Sequence, residues 1–195
     1  MDETYKNAAP SYTVNFNIAQ RTKKAGYYLS GEYYRQDGMF KKGNDIYDRY
    51  NMRAKVDFQL TNWLNISNNT SFAFRKYDKP NIDMESFFHE VNRKSTLDVV
   101  RNPDGTYTKS GGAILGLLEN GGRSVNDRRD FSTTFAATID LLKDVWQIKA
   151  DATFSRVSER TRRASLPYSY KQGPEMALEP VSYTHLRAHE TRHDL

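Results

Sequence analysis

The chain has 195 residues, with 29 lysines and arginines against 24 acidic residues and a formal net charge of +5. Aromatic residues make up 13% of it, which excludes a disordered protein because such chains lack large apolar groups. The absence of cysteine excludes disulfides, thiolate metal sites and cysteine nucleophiles. No run of about 18 apolar residues occurs, which excludes a membrane-spanning helix. Membrane β-strands are only half apolar and stay compatible with this composition.

The first predicted element is a β-hairpin. Apolar or aromatic residues alternate with other residues from Tyr12 to Ile18 and again from Ala25 to Tyr33. Alternation with period two is typical of a strand with one apolar and one polar face. The segment Arg21–Lys24 is the predicted turn between the two strands.

The second hairpin carries the clearest alternation. Over Arg49–Leu60 every second residue is apolar or aromatic, and every residue between them is polar. After a predicted turn at Thr61–Trp63 the pattern resumes over Leu64–Arg75, with Asn68 and Thr70 as polar interruptions of the apolar face. Two alternating runs joined by a tight turn predict a hairpin.

A third hairpin and the lengths of the connections define the topology. Alternation over Asp130–Leu141 and Trp146–Ser155 flanks a predicted turn at Leu142–Val145, whereas long connections are predicted at Arg35–Asp48 and Tyr77–Arg129. In an up-and-down meander the short turns lie at one end and the long loops at the other, as in outer-membrane barrels. Predicted strands of about 10–13 residues exceed the soluble mean of about 5–6 and match the roughly 9–11 that span a membrane.

The connection Tyr77–Arg129 is predicted to contain structure of its own. Asp83 can cap a short helix, Asn102–Gly105 has the residues of a β-turn, and Ala113–Glu119 predicts a helical turn that ends at Gly121. A structured loop of this length is more often functional than a filler. The predicted apolar face of the first helix consists of Met84, Phe87, Phe88 and Val91.

Aromatic residues mark both ends of the predicted strands. Trp63 and Trp146 lie beside short turns, as in the aromatic girdle of a membrane barrel. The alternative is that these aromatics form the core of a soluble β-sandwich. The tyrosines that gather at the opposite end are Tyr33, Tyr34, Tyr47, Tyr50 and Tyr77.

The stretch YYLSGEYYRQDGMFKKGNDIYDRYNMRAKVDFQLTNWLNISNNTSFAFRKYDKP resembles the barrel of the SusC/RagA-like TonB-dependent transporters of Bacteroidetes. A Tyr-Tyr-Leu-Ser strand, a loop with Asp37-Gly38, the motif RYN-x-R at Arg49–Arg53 and a strand ending near Trp63 follow one another in the order of that family. The later RNPDGTY and LENGGR are similar to its extracellular-loop motifs. The resemblance covers roughly residues 5–175.

The resemblance implies a fold, a location and partners. Members of that family are 22-stranded barrels with an N-terminal plug, and they import glycans or peptides across the bacterial outer membrane with TonB and a SusD-like lipoprotein. This sequence shows no plug, TonB box or closing strand. We therefore expect an all-β, antiparallel up-and-down meander over residues 1–180, an open curved segment of a large transmembrane barrel with extracellular loops at 35–48 and 77–129.

The C-terminal segment, residues 181–195, breaks the preceding patterns. The stretch PVSYTHLRAHETRHDL resembles translated sequencing-adapter sequence, so it is expected to be a non-native tail. It contains His185, His189 and His193, whose spacing of four would align them on one helix face like a metal site. Since the tail is expected to be foreign, this spacing is interpreted as accidental, and no metal or cofactor is predicted.

The resemblance also assigns candidate site residues. Polar residues would face the barrel lumen and contact the plug or a solute, and loop aromatics would stack on sugar rings. No nucleic-acid partner is expected because basic residues alternate with Asp57 on a strand face. The alternatives are a soluble all-β carbohydrate-binding module and a hydrolase. The sequence shows no set of catalytic residues that a hydrolase would need, so an enzyme is not predicted. The candidates are Arg49, Asn51, Arg53, Asn65, Asn69 and Arg75 for the lumen and Tyr47, Tyr77 and Phe88 for the loops.

Overall fold

A computed structural model describes residues 3–95, 97–142, 146–181 and 191–194. Its main feature is an antiparallel meander in which six consecutive strands pair in chain order, so the predicted up-and-down topology is confirmed. The strands are β1 (Ser11–Arg21), β2 (Ala25–Asp37), β3 (Ile46–Gln59), β4 (Leu64–Pro80), β5 (Gly122–Leu142) and β6 (Trp146–Ser165).

The sheet is open over the described residues. The outer edge of β1 pairs with no other strand there, and the outer edge of β6 pairs only with the short β9, at Ser158–Thr161. The remaining strands are β7 (Tyr168–Tyr170), β8 (Glu179–Val181) and β9 (Thr191–Asp194), of which β7 and β8 form a separate hairpin. The helical elements are α1 (Met84–Arg93), α2 (Lys109–Gly111), a π-helical turn (Gly112–Gly116) and α3 (Leu117–Asn120).

Three strands are longer than the alternation predicted. β4, β5 and β6 have 17, 21 and 20 residues, and the connection predicted at 77–129 shrinks to residues 81–121. β2 and β3 also extend towards each other, so the connection predicted at 35–48 shrinks to residues 38–45. The added length carries charged or polar residues on both faces and is joined by charged cross-strand pairs such as Arg162–Asp127 at 2.7 Å and Arg123–Asp78. The alternation of apolar residues predicts only the part of a strand that has an apolar face. The strands continue beyond that part because strand pairing needs only backbone hydrogen bonds and compatible neighbouring side chains.

The buried hydrophobic core of the described chain lies in the connections. This loop core consists of Phe40, Phe87, Tyr107, Leu115 and Leu118. Phe40 from the first long connection packs edge-on against Phe87 of α1, with ring centroids 5.5 Å apart, so the two long connections lie at the same end of the sheet. The turns after β1 and β3 lie at the opposite end. Residues 143–145 of the predicted third turn lie outside the described residues.

The local structure predicted in the long connection is largely confirmed. The carboxylate of Asp83 accepts the Ser86 amide at 2.9 Å and caps α1. The Gly105 amide donates to the carbonyl of Asn102 at 2.9 Å in the predicted turn. The second helical segment is longer than predicted and runs from Lys109 to Asn120.

Two predictions have a different outcome. Phe88 does not belong to the buried face of α1: its side chain is exposed, whereas Phe87 is buried. In the C-terminal segment, His185 and His189 lie outside the described residues, and His193 is placed only as part of the β9 backbone.

Candidate functional site

One face of the sheet carries a band of apolar and aromatic residues, here called the apolar face, whose charged residues among those described are Arg129 and Arg156 at its loop end. The register places Tyr50 opposite Phe74 and Phe72 opposite Phe131, and carries the same face across all six strands. Phe58, Phe135 and Phe154 are 51%, 58% and 60% exposed, so no described part of the chain covers them. Its other large members include Val14, Phe16, Ile18, Leu29, Met52, Val56, Ile139 and Ile148.

Aromatic residues bound the apolar face at both ends. At the loop end Tyr33 stacks on Tyr50 with centroids 4.7 Å apart, Tyr50 stacks on Phe74 at 6.1 Å, and Tyr12 extends the row to β1. At the turn end Trp63 is exposed. From the Tyr50 row to Trp63 is roughly 33 Å along the strands, or about 25 Å of height at the tilt of barrel strands. This equals the height of the apolar band in membrane barrels.

The polar side chains that interrupt the apolar face form hydrogen bonds with one another. Asn68 donates its amide to the hydroxyl of Thr133 at 3.1 Å, and the hydroxyl of Thr70 lies 2.9 Å from Asn68 and 2.8 Å from Thr133. Polar groups in an apolar environment are costly unless they are hydrogen-bonded. The three side chains therefore form a closed group that can lie against hydrocarbon.

The opposite face, here called the polar face, carries all six predicted lumen residues. The register places them on β3 and β4 between the apolar positions. A concavity of about 660 Å³ spans this face across the six strands, and Asn51 and Arg53 line it together with Asn15, Asn17 and Asp130. The polar face residues predicted from the sequence are Arg49, Asn51, Arg53, Asn65, Asn69 and Arg75.

Two carboxylates that the sequence reasoning missed organise the polar face. Glu32 on β2 accepts Arg49 at 2.7 Å and Asn51 at 3.0 Å. Asp130 on β5 pairs with Arg75 at 3.4 Å and with Arg128 at 3.1 Å. Each carboxylate bridges two partners across the face. The register of Glu32 opposite Asn51, and the position of Asp130 two residues from Arg128 on the same strand, were the signals that could have identified them.

The three predicted aromatic residues line one concavity, but Tyr47 and Tyr77 do not belong to loops. They lie on β3 and β4 as register partners, with rings 6.2 Å apart, while Phe88 comes from α1. The concavity has a volume of about 570 Å³ and lies where the polar face meets the loop core. The correction has a physical reason: cross-strand pairing continues through these tyrosines after the apolar alternation has ended. Asp45 lies buried at its wall and accepts the Tyr77 hydroxyl at 3.3 Å.

Charged and polar contacts hold the loops at this end of the sheet. The guanidinium of Arg101 lies 4.2 Å from the centroid of the Tyr107 ring, and the Tyr107 hydroxyl donates to Glu119. Burial and this hydrogen bond raise the pKa of Tyr107 to about 12, and the same bond lowers the pKa of Glu119. Lys42 from the first long connection pairs with Glu119 at 3.4 Å. Both long connections are therefore joined by charge as well as by apolar packing.

No family model matches the chain, and no curated protein matches it. Within the described residues no helix is long and apolar enough to cross a membrane. Likewise, the described residues bring together no group of three or more histidine, aspartate or glutamate side chains that could hold a metal ion.

Proposed function

We propose that this chain forms part of the barrel wall of a bacterial outer-membrane transporter of the SusC/RagA-like, TonB-dependent kind, which imports glycans or peptides with a SusD-like partner. The observation that carries the proposal is the apolar face: it is exposed, its charged residues are confined to the loop end, and it has the height of a bilayer core between two aromatic borders. The resemblance of the sequence to that family supplies the class of solute and the partners.

Exposure of the apolar face to water would be energetically unfavourable. Contiguous apolar patches on proteins in water are rarely larger than a few hundred Å², and here exposed residues such as Phe16, Phe135 and Phe154 extend the patch over six strands. In a bilayer, lipid covers such a face and no second protein layer is needed. The hydrogen-bonded group of Asn68, Thr70 and Thr133 is suited to that environment.

The polar face would line the lumen. Its network of Glu32, Asp130 and their basic partners offers hydrogen-bond donors and acceptors to a plug or a polar solute. Tyr47, Tyr77 and Phe88 at the mouth offer ring faces that can stack on a sugar ring or on an aromatic side chain of a peptide.

The open edges of the sheet indicate what else the barrel needs. A strand edge in hydrocarbon leaves backbone N–H and C=O groups without partners, at a cost of several kcal/mol for each group. The outer edges of β1 and β6 therefore require neighbouring strands in the membrane. A large barrel in which this sheet is one sector satisfies both edges.

Nitroxide accessibility tests the proposal. The sequence contains no cysteine, so single cysteines can be introduced in the chain with its native flanking sequence, reconstituted in vesicles. Val56→Cys and Phe72→Cys probe the apolar face, and Lys55→Cys and Ser71→Cys probe the polar face one residue away. We expect the labels at Val56 and Phe72 to collide with dissolved oxygen and not with a water-soluble nickel chelate. The labels at Lys55 and Ser71 should collide mainly with the nickel chelate.

The same measurement separates the alternatives. In a soluble carbohydrate-binding module the apolar face would be covered by protein, and labels at Val56 and Phe72 would be shielded from both oxygen and the nickel chelate. That result, or equal access of the chelate to both faces, would contradict the membrane proposal.

A further inference from the structure

At the loop-end border of the apolar face, two arginines lie side by side. Phe131 on β5 is the register partner of Arg156 on β6, and Arg129 is the partner of Ser158. Arg129 and Arg156 are therefore diagonal neighbours on the apolar face, with Cβ atoms roughly 7–8 Å apart. Both side chains are exposed.

Neither arginine is neutralised within the described part of the chain. Arg129 contacts the face of the Phe74 ring, with its guanidinium carbon 5.6 Å from the centroid, and neither it nor Arg156 forms an ion pair there. The neighbouring carboxylate of Asp127 is already held by Arg162 at 2.7 Å. Asp130, although adjacent in sequence, lies on the polar face.

Other cations at this border lie opposite a carboxylate or pair with one, and this makes the two arginines distinctive. Lys76 lies directly opposite Asp48 in the register, and Arg35 pairs with Asp37 at 3.3 Å. Arg123 pairs with Asp78. The excess positive charge of the border is thus concentrated on β5 and β6.

We infer that Arg129 and Arg156 bind the phosphate of an anionic acylated lipid, whose chains lie against the apolar face below them. The inference rests on the proposed function, because it requires that the apolar face contact lipid. Two guanidinium groups at this spacing can reach one phosphate from two sides, and arginine suits phosphate because its planar group donates two parallel hydrogen bonds. Phe131, level with Arg156, and Phe154, one step further from the loop end, are both exposed and can contact the acyl chains.

The chemistry of the site favours a lipid over a free ion. A free phosphate would gain the charge contacts but leave the adjoining aromatic rings uncovered. An anionic lipid satisfies the two cations and the apolar surface together. Arg129 lies in the Tyr50 row and Arg156 lies one register step inside it, so both are near the depth at which lipid headgroup phosphates lie.

The test compares two spin-labelled lipids, phosphatidic acid and phosphatidylcholine, bound to the chain with its native flanking sequence in phosphatidylcholine vesicles. We expect the protein to prefer phosphatidic acid, and Arg129→Gln or Arg156→Gln to lower that preference by about fivefold each. The double variant should bind the two lipids almost equally. The control, Lys55→Gln with Lys149→Gln, removes two positive charges from the polar face and should keep the preference.

The outcomes separate this inference from the proposed function. If the labels at Val56 and Phe72 report lipid contact but the double arginine variant keeps its preference for phosphatidic acid, the lipid site is overturned while the membrane position stands. An equal loss of preference in the lysine control would also overturn the site, because net charge would then explain the effect. Loss in the arginine variant alone supports it.

Discussion

An arginine scan along β3 tests the position of the apolar face in depth. Between the Tyr50 row and Leu60 the strand rises roughly 33 Å, or about 25 Å along the membrane normal, so each step of two residues changes the depth by about 5 Å. Ala54 and Val56 are then each within about 3 Å of the midplane, and Phe58 is about 7–8 Å from it.

We expect Ala54→Arg and Val56→Arg to cost about 2–4 kcal/mol of folding free energy, and Phe58→Arg less than either, because the cost of a charge falls towards the interface. Each cost is measured relative to alanine at the same position, so that the loss of the native side chain cancels. Gln59→Arg on the polar face is the control and should change stability little. The assay is reversible urea unfolding from lipid vesicles, for the chain with its native flanking sequence.

A result in which the three apolar-face variants cost the same would refute the depth argument. Equal costs are expected where the face is buried against another protein layer, because a packed core has no gradient of polarity along the strand. Negligible costs at all three positions would instead indicate that this face is in contact with water.

Two further predictions concern the loops. The hydrogen bond from Lys171 to Asp104 lowers the pKa of that carboxyl below its usual 3.8, so its contribution to stability is complete above about pH 5 and disappears as the pH falls through the lowered value. Hydrogen exchange of this loop, corrected for intrinsic rates, should therefore accelerate between pH 5 and 2.5 in the wild type. Asp104→Asn should abolish that acceleration, and its persistence in the variant would contradict the assignment. Gly122→Ala should destabilise the protein more than Gly105→Ala in thermal unfolding. Both glycines have positive φ, but only at Gly122 would the new Cβ clash with a backbone atom, the Ala164 carbonyl oxygen; equal losses would show that backbone strain alone matters.

The presence of the strands, and the face on which each side chain lies, could both be predicted from the sequence. The alternation of apolar and polar residues determines both. Over Arg49–Leu60 each apolar residue alternates with a polar one, and the register of β3 with β4 keeps the two sets on separate faces. A shift of one residue would exchange the faces, so a sharp alternation fixes the register as well. The capped helix at Asp83 was predictable for a similar reason, since the signal is local.

The ends of the strands and the mouth concavity could not be predicted in the same way. β5 begins at Gly122, where charges occupy both faces, and nothing in a single strand shows that Arg123 will meet Asp78 or that Asp127 will meet Arg162. Phe88 was assigned to the buried face of α1 because helical spacing permits it. Only the packing of the loop core decides that Phe87 is buried and that Phe88 faces the concavity.

The extension of β4–β6 beyond the aromatic row determines where a solute would first meet the proposed transporter. From Arg129 to Gly122, β5 continues for about 23 Å along the strand, with charged or polar residues on both faces, as expected for a wall that has water on both sides. This extension carries the loop core beyond the aromatic row and places Tyr47, Tyr77 and Phe88 around one concavity. A solute entering along the polar face would contact these rings before it reached Glu32 and Arg49. In the proposed transporter, aromatic contacts at the mouth and polar contacts below them would therefore be successive along one path, and variants at the two levels should affect uptake separately.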